Sequence, residues 1–221
     1  LMSMVVHHAD EGLMLDYASG ALSEPMSLAM ATHLSLNKKS AVDYDALNAV
    51  GGALLEGLDA VEEDEDDFGL SDVLSRLDDE PVRARPVGFS SVTTDVVPAP
   101  LRDYLPSDLD TLPWRRVAPG VEEYSIRTGS NEGRTALLKI QPGQSMPEHT
   151  HGGREITVVL KGSYVDGCET YRRGDLQEAD EEANHQPIAD HKDGCLCLIV
   201  LDAPVKLTGR VGRLLNPFIR F

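Results

Sequence analysis

The 221-residue chain has few cysteines, few aromatic residues and no long hydrophobic run. Its three cysteines, Cys168, Cys195 and Cys197, lack the spacing of a zinc finger or a disulfide framework, which is typical of a reducing compartment. No stretch of about 18 apolar residues is present to span a bilayer. Residues 1–10 contain neither a basic region followed by an apolar stretch nor a cleavage site. These absences predict a cytoplasmic protein that does not bind membranes.

Basic residues are scarce in the first third of the chain. Residues 1–80 carry 18 acidic and 3 basic side chains, a net charge of −15, whereas residues 81–221 carry 19 acidic and 17 basic side chains, a net charge of −2. An acidic segment of this strength repels phosphate backbones and anionic lipids. The charge therefore argues against direct binding of nucleic acid and favours a basic protein partner.

The apolar residues of the first third recur with a helical period. Ser71 is the predicted N-cap of the last helix, which follows an acidic spacer over residues 62–67. Inside the third helix, Gly51 and Gly52 cost stability and predict close packing or a bend. We expect about four helices, over residues 12–19, 25–36, 40–58 and about 70–77.

After residue 80 the pattern changes from helical to extended. Residues 81–100 are rich in Pro, Val, Thr and Ser, a composition that predicts an extended linker. Beyond the linker, short strand-like runs alternate with turns that contain Gly, Pro or Asp, which favours a small antiparallel barrel or sandwich. The predicted strands are Glu123–Thr128, Thr135–Ile140, Glu155–Leu160, Gly194–Leu201 and Leu214–Phe221.

Two histidines and a glutamate in this second part have the spacing of a metal site. Residues two apart in a strand point to the same side, so His149 and His151 present both imidazoles to one face. Glu155 follows a turn at Gly152-Gly153 and can return to that face. Two imidazoles and a carboxylate suit a borderline first-row metal such as Zn, Fe, Mn, Ni or Cu.

The same residues resemble the first motif of the cupin fold, G(x5)HxH(x3)E(x6)G, which runs from Gly143 to Gly162. The second cupin motif is looser, with Asp180 in the place of the usual proline and His185 at the position of the fourth metal ligand. The resemblance implies a jelly-roll or double-stranded β-helix barrel. It also implies one divalent metal, zinc first, with Fe, Mn or Ni as alternatives. The ligands that it implies are His149, His151, Glu155 and His185.

Cys195 and Cys197 lie two apart in an apolar strand and are predicted to face the same side. One interpretation is a buried pair of small thiols that only pack. The other is a redox-sensitive pair facing the metal cavity. Cys168, which follows Asp166-Gly167, is predicted to be incidental.

Taken together, an acidic helical part and a cupin barrel resemble the ChrR-type anti-sigma factors over essentially the whole chain. Residues 13–36, 51–56 and 174–187 carry the likeness in addition to the cupin motif. The resemblance implies a transcription regulator that sequesters an extracytoplasmic-function sigma factor and releases it under oxidative stress by singlet oxygen or organic peroxide. The domains expected from it are an anti-sigma domain over 1–88, a linker over 89–100 and a metal-binding cupin domain over 101–221.

The chain departs from this family at one site. The family holds a zinc ion in the helical domain through an upstream histidine and the motif HxxxCxxC, which fall here on His8, His33, Asn37 and Ser40. An amide and a hydroxyl do not supply the anionic sulfur that gives such centres much of their zinc affinity. We therefore expect zinc to be absent or weakly bound in this domain, with packing of the apolar helix stripes holding its fold.

A second hypothesis is a metal-dependent cupin enzyme, a dioxygenase or isomerase, with the helices as an oligomerisation arm. Its further active-site groups would come from Arg154, Tyr164, Tyr171 and Arg172, to which we assign solvated or packing roles. The helical resemblance serves no evident purpose in such an enzyme, so the sequence favours a regulator without catalytic activity. The sequence leaves open whether the protein forms a homodimer through its sheets.

Overall fold

The computed structural model describes residues 7–59, 69–77, 88–129 and 133–208, and the statements that follow concern these residues. Within them, six helices come first along the chain and ten strands follow. This order confirms the prediction of a helical part followed by an antiparallel β-fold, with six helices instead of about four. The helices are α1 (Glu11–Ala18), α2 (Glu24–Leu36), α3 (Lys38–Glu56), α4 (Leu70–Arg76), α5 (Ser91–Val96) and α6 (Ala99–Arg102).

The strands pair in antiparallel fashion throughout. Eight of them form one sheet in which β1, β2, β3, β9, β5 and β6 are successive neighbours, while β7 and β8 also pair with β5. Strands β4 and β10 form a separate pair. The ranges are β1 (Arg115–Ala118), β2 (Val121–Ile126), β3 (Arg134–Ile140), β4 (His149–His151), β5 (Glu155–Asp166), β6 (Glu169–Arg172), β7 (Leu176–Ala179), β8 (Ile188–Ala189), β9 (Cys195–Leu201) and β10 (Val205–Leu207).

Short polar residues set the ends of the first three helices. Asp10 caps α1 by accepting a 2.6 Å hydrogen bond from the Leu13 amide. Ser23 occupies the N-cap position of α2, with Pro25 in the first turn as the sequence predicts. Asn37 ends α2 and caps α3, because its Oδ1 accepts from the amides of Lys39 and Ser40. Asn37 therefore has a structural role at the helix junction.

Both faces of the central sheet are covered. The side chains of β9 alternate between two apolar clusters, and all seven residues of the strand are buried, which explains its unbroken apolar sequence. Leu196 and Leu198 face the cluster that contains helical residues, whereas Cys195 and Cys197 face the barrel interior. The alternation predicted for the two cysteines is confirmed.

Helix α2 packs against β5 and β9 on the outer face of this sheet, and α1 and α6 pack against α2. Met26 and Met30 of α2, Leu101 of α6, and Leu137 and Leu198 of the sheet belong to one continuous apolar cluster. The helical part and the barrel thus share a hydrophobic core.

The segment predicted as a linker differs from the expectation. Residues 89–100 contain α5 and the first half of α6 instead of extended chain. Val97 and Leu101 are fully buried in the shared core, and this burial stabilises two helices too short to be stable alone. The domain boundaries at 88 and 101 stay a prediction.

One predicted helix start was wrong, and two predicted segments cannot be compared with the structure. Helix α4 is capped by Gly69, and Ser71 lies inside it, so the predicted N-cap was wrong by two residues. The acidic spacer over 62–67 and the strand predicted over 214–221 lie outside the described residues. Among the described helices, none combines the length and the apolar character needed to cross a lipid bilayer.

Candidate metal centre

The barrel brings three histidines together at one end of its interior. His149 and His151 come from the two ends of β4, and both side chains are buried. His185 lies on a loop that pairs with His149 through two backbone hydrogen bonds of 3.1 and 3.0 Å. Each residue offers a ring nitrogen within 4.8 Å of the other two. We call these three residues the three-histidine site.

The ring nitrogens of the three-histidine site are close enough to share one ion. The Nε2 atoms of His151 and His185 are 2.8 Å apart. The orientation of the His149 ring is fixed by a hydrogen bond, because its Nδ1 donates to the Pro147 carbonyl oxygen 2.8 Å away. That hydrogen bond leaves the lone pair on Nε2 of His149 for a metal.

Glu155, the predicted carboxylate ligand, lies beside this cluster. Its Oε2 is 3.2 Å from Nδ1 of His151, and its Oε1 accepts a 3.0 Å hydrogen bond from the Thr157 hydroxyl. The carboxylate is not aligned with the His151 ring, so this buried Nδ1 has no hydrogen-bond partner among the described residues. Burial raises the pKa of Glu155. Direct ligation by Glu155 stays a prediction.

Burial and neighbouring charges keep two of the three rings neutral. Burial, with the adjacent His149, lowers the pKa of His151 to about 4, and burial also lowers the pKa of His149. For His185 burial acts in the same direction, but the hydrogen bond and charge of Asp166 outweigh it and raise the pKa. Neutral imidazoles are the form that binds a metal, so the environment of β4 favours ligation.

Asp166 is a site residue that sequence reasoning missed. Its Oδ2 lies 2.7 Å from Nδ1 of His185 and 2.6 Å from Nε2 of Gln177, and it accepts hydrogen bonds from both. Burial opposes the charge, yet the hydrogen bonds from His185 and Gln177 keep the pKa of Asp166 below its usual value. A carboxylate behind a ligating histidine is a common way to orient the ring. The only hint in the sequence is strand alternation, which puts Asp166 on the same side as Tyr164.

The residues present therefore fit a divalent metal. Three imidazoles converge in a buried space, one buried ring nitrogen lacks a hydrogen bond, and two carboxylates stand close by. Imidazole with carboxylate suits several first-row metals, so the chemistry of the ligands does not select one. His149, His151 and His185 would hold the ion, with Glu155 beside them.

Cys195 and Cys197 share the barrel interior with this site. Both are buried on the side of β9 that faces Tyr164 and Val159. The contact with the Cys195 thiol and burial raise the pKa of the Cys197 thiol well above its usual value. A protonated thiol is a slow nucleophile, which favours the packing interpretation, and redox sensitivity stays a prediction. Cys168 is exposed and apart from them.

The four residues considered for an amino-terminal zinc site also meet, through hydrogen bonds. Asn37 Nδ2 lies 2.8 Å from Nδ1 of His8, and Ser40 Oγ lies 2.9 Å from Nε2 of His33. Nδ1 of His33 donates to the carbonyl oxygen of Gly174, 2.9 Å away. Burial lowers the pKa of His33 to about 4, so its ring is neutral. We call His8, His33, Asn37 and Ser40 the amino-terminal network.

Helices α3 and α4 carry an apolar side that the described chain does not cover. Residues 48–59 and 69–77 are exposed throughout, although their leucines and valines have the spacing of a buried helix face. The expectation that these stripes hold the helical domain together was therefore wrong for this part of it. The exposed apolar residues are Val42, Val50, Leu54, Leu55, Leu58, Leu70, Val73, Leu74 and Leu77.

Comparison with known proteins identifies relatives that share nearly the whole length of this chain. The chain is 37% identical to the anti-sigma-E factor ChrR of Cereibacter sphaeroides over 214 residues, which are 97% of this chain and 98% of that protein. The family model of the ChrR Cupin-like domain matches residues 105–204. A crystal structure of Rhodobacter sphaeroides SigE in complex with the anti-sigma ChrR matches at a TM-score of 0.75 and 37% sequence identity, covering 90% of this chain and 100% of the matched chain.

Proposed function

Because the chain belongs to the ChrR family of anti-sigma factors, we propose that it sequesters an extracytoplasmic-function sigma factor and releases it under oxidative stress. Its helical half would hold the sigma factor, and the metal-binding barrel would sense singlet oxygen or an organic peroxide. The observation that carries the binding proposal is the uncovered apolar side of α3 and α4. The related ChrR was crystallised bound to a sigma factor, SigE.

Leaving these leucines and valines in contact with water costs free energy in the unbound protein. Burying one such side chain completely stabilises a complex by about 1.5–3 kcal/mol, and soluble monomers rarely leave several of them together in water. On α3, Val50 and Leu54 are four residues apart, so they lie on one side of the helix, and Leu58 follows just beyond its end. On α4, Leu70 and Leu74 are spaced in the same way. This arrangement is typical of helices that dock on a partner.

The charge of the helical half indicates the kind of partner. Residues 1–80 have a net charge of −15, so their surface attracts a basic protein and speeds its association. A protein that binds promoter DNA must itself be basic where it contacts phosphate. An acidic surface with apolar side chains therefore complements a sigma factor. Such a partner acts with RNA polymerase, which places the proposed function in the cytoplasm.

The sensing part of the proposal concerns the barrel. His149, His151 and His185, with Glu155 beside them, would hold one divalent metal, and we take zinc first with Fe, Mn and Ni as alternatives. A bound metal would join β4 to the loop of His185. An oxidant could act on these ligands or on the buried thiols of Cys195 and Cys197.

The alternative of a metal-dependent dioxygenase or isomerase loses its support. The relative that matches nearly the whole chain is an anti-sigma factor and not an enzyme. Two of the residues that such an enzyme would use already have side-chain partners: Arg154 pairs with Glu178, and Tyr164 donates to Gln177.

The binding proposal is tested with the full chain and the sigma factor encoded beside it. Val50→Asp and Leu74→Asp place a charge on the apolar sides of α3 and α4, so we expect the dissociation constant to rise at least about 100-fold. Val92→Asp on α5 is the matched control, because Val92 is 67% exposed and Val50 59% exposed. The control should bind within about threefold of the parent. Equal binding by all three variants would contradict this surface, and failure of the parent to bind would contradict the function.

The release proposal is tested on the same complex. Singlet oxygen from an illuminated photosensitiser should dissociate the parent complex within the exposure time, as followed by size-exclusion chromatography. His149→Ala should form the complex but dissociate at least about fivefold more slowly, because the sensing site lacks a ligand. Glu148→Ala changes an exposed neighbour outside the predicted ligand set and should respond like the parent. A response of His149→Ala equal to that of the parent would contradict sensing at this site.

A further inference from the structure

A continuous series of side-chain contacts joins His185 of the three-histidine site to the beginning of the helical half. It runs through Asp166, Gln177, Tyr164 and Tyr171 to His7. From this geometry we infer that Asp166, Gln177 and Tyr164 are positioning residues that couple the occupancy of the metal site to the conformation of the helical half. The inference deepens the proposed function and rests on it for the identity of the partner.

The first step of the series orients the metal ligand. Nδ1 of His185 donates to Oδ2 of Asp166 over 2.7 Å, which directs the lone pair on Nε2 towards His151. A metal bound at Nε2 would fix the orientation of the His185 ring, and with it the position of the Asp166 carboxylate that accepts from Nδ1. The position of the Asp166 carboxylate therefore depends on the state of the metal site.

The second step passes through an amide that is held at both ends. Nε2 of Gln177 donates to Asp166 over 2.6 Å, and Oε1 of Gln177 accepts from the Tyr164 hydroxyl over 2.6 Å. The amide cannot rotate without breaking both hydrogen bonds. Because Tyr164 is only 3% exposed, no water competes at its ring. A shift of Asp166 therefore moves Gln177 and Tyr164 together.

The third step crosses from the barrel to the helical half. The ring of Tyr171 stacks on Tyr164 with centroids 5.0 Å apart, and it also contacts the His7 ring, whose centroid is 4.2 Å away. The backbone of His7 is tied to the same place, because its amide donates to Asp175 over 3.1 Å and its carbonyl accepts from the Leu176 amide over 3.3 Å. His7 thus pairs with the first residue of β7 through one backbone hydrogen bond.

The last step reaches the helices that would hold the partner. His8, the next residue, belongs to the amino-terminal network with Asn37 and Ser40 at the start of α3. His33 of α2 donates to Gly174, which adjoins the residues that bind His7. The barrel segment 174–176 therefore contacts the helical half at two points. A displacement of this segment would shift α2 and α3.

Amide hydrogen exchange of the full chain tests the coupling without any sigma factor. The protein is freed of metal with a chelator and compared with and without one equivalent of zinc. In the parent, zinc should slow exchange of the peptide covering α2 at least about fivefold, the lower end of typical coupling between sites. Tyr164→Phe removes one hydroxyl and keeps the ring, so zinc should still slow exchange around His149 but change α2 less than about twofold.

Matched variants separate coupling from general damage. Tyr104→Phe removes a partly buried hydroxyl contact outside the series, the 2.9 Å hydrogen bond to Glu24 at the start of α2, and should keep the parental ratio of α2 exchange with and without zinc. Tyr171→Leu, at a half-buried position, removes the stack and should behave like Tyr164→Phe even if the latter folds poorly. Gln177→Leu should in addition weaken zinc binding about 10–100-fold.

Three results would overturn the inference. They are no effect of zinc on α2 in the parent, a parental zinc effect in Tyr171→Leu, or the same loss of effect in Tyr104→Phe. The outcome is independent of the proposed function, since a parent that shows the zinc effect but binds no sigma factor would contradict only the latter.

Discussion

Asn37 and Ser40 show how two side chains can occupy the positions of metal ligands and connect the same elements without a metal. Asn37 caps α3 and contacts His8, while Ser40 contacts both histidines of the amino-terminal network. Three contacts of this network, from Asn37 to His8 and from Ser40 to each histidine, are 2.8–3.3 Å long. The ligand atoms of one tetrahedral zinc are about 3.3–3.8 Å apart, so the backbone already has nearly the arrangement of a zinc site.

The double variant Asn37→Cys/Ser40→Cys should therefore create a zinc site. Elemental analysis should find one more tightly held equivalent than in the parent. Without metal the variant should be about 1 kcal/mol less stable, because the cap of α3 is lost, and zinc should reverse this loss. Ser35→Cys, an exposed position on α2, is the control and should add no equivalent. No extra zinc in the double variant would show that His8 and His33 do not converge as the structure indicates.

Helix α3 is attached to the rest of the protein by its first half. Tyr44 and Leu47 pack against the shared core, and Tyr44 contacts the ring of Tyr17, whereas residues 48–59 are exposed. The close packing expected at Gly51 and Gly52 is not found, since a side chain at either position would meet no atom within 4 Å. The second half of α3 depends on its own helix propensity until a partner covers it.

Replacing both glycines by alanine should stabilise this half of the helix. Each Gly→Ala change in an exposed helix contributes about 1 kcal/mol, which corresponds to roughly fivefold slower local amide exchange. The peptide covering residues 45–58 should respond, and the peptide covering α2 serves as the internal reference. Unchanged exchange at 45–58 would mean that helix propensity does not limit this segment.

The acidic charge of the molecule is concentrated at the end that carries the exposed apolar side chains. This separation predicts that charge sets how fast the partner associates, and that apolar contact sets how long it stays. Raising the salt concentration from 50 to 500 mM should lower the association rate constant about tenfold or more, since screening shortens the reach of the field. The dissociation rate constant should change less than about threefold. Stopped-flow fluorescence measures both, and a salt effect confined to dissociation would contradict electrostatic steering.

Local patterns in the sequence were sufficient for much of this architecture. The apolar run at Cys195–Leu201 predicted a strand, and the spacing of His149 and His151, together with the cupin resemblance that added His185, predicted residues that do meet. The pattern did not reveal α5 and α6, because burial against a distant sheet stabilises them. It did not reveal Asp166, whose partner is 19 residues away, nor that the apolar side of α3 lies uncovered. Periodicity predicts that a face is apolar, and it does not identify what covers that face.

The core shared by helices and sheet also limits how this protein can be rearranged. The outer face of the barrel is lined by leucines such as Leu137 and Leu198, which α2 and α6 cover. A barrel separated from its helices would expose this surface, and the helices would lose the surface on which they are ordered. The barrel and the helical half are therefore not interchangeable parts. A working chimera with another family member would have to exchange the outer sheet residues together with the helices.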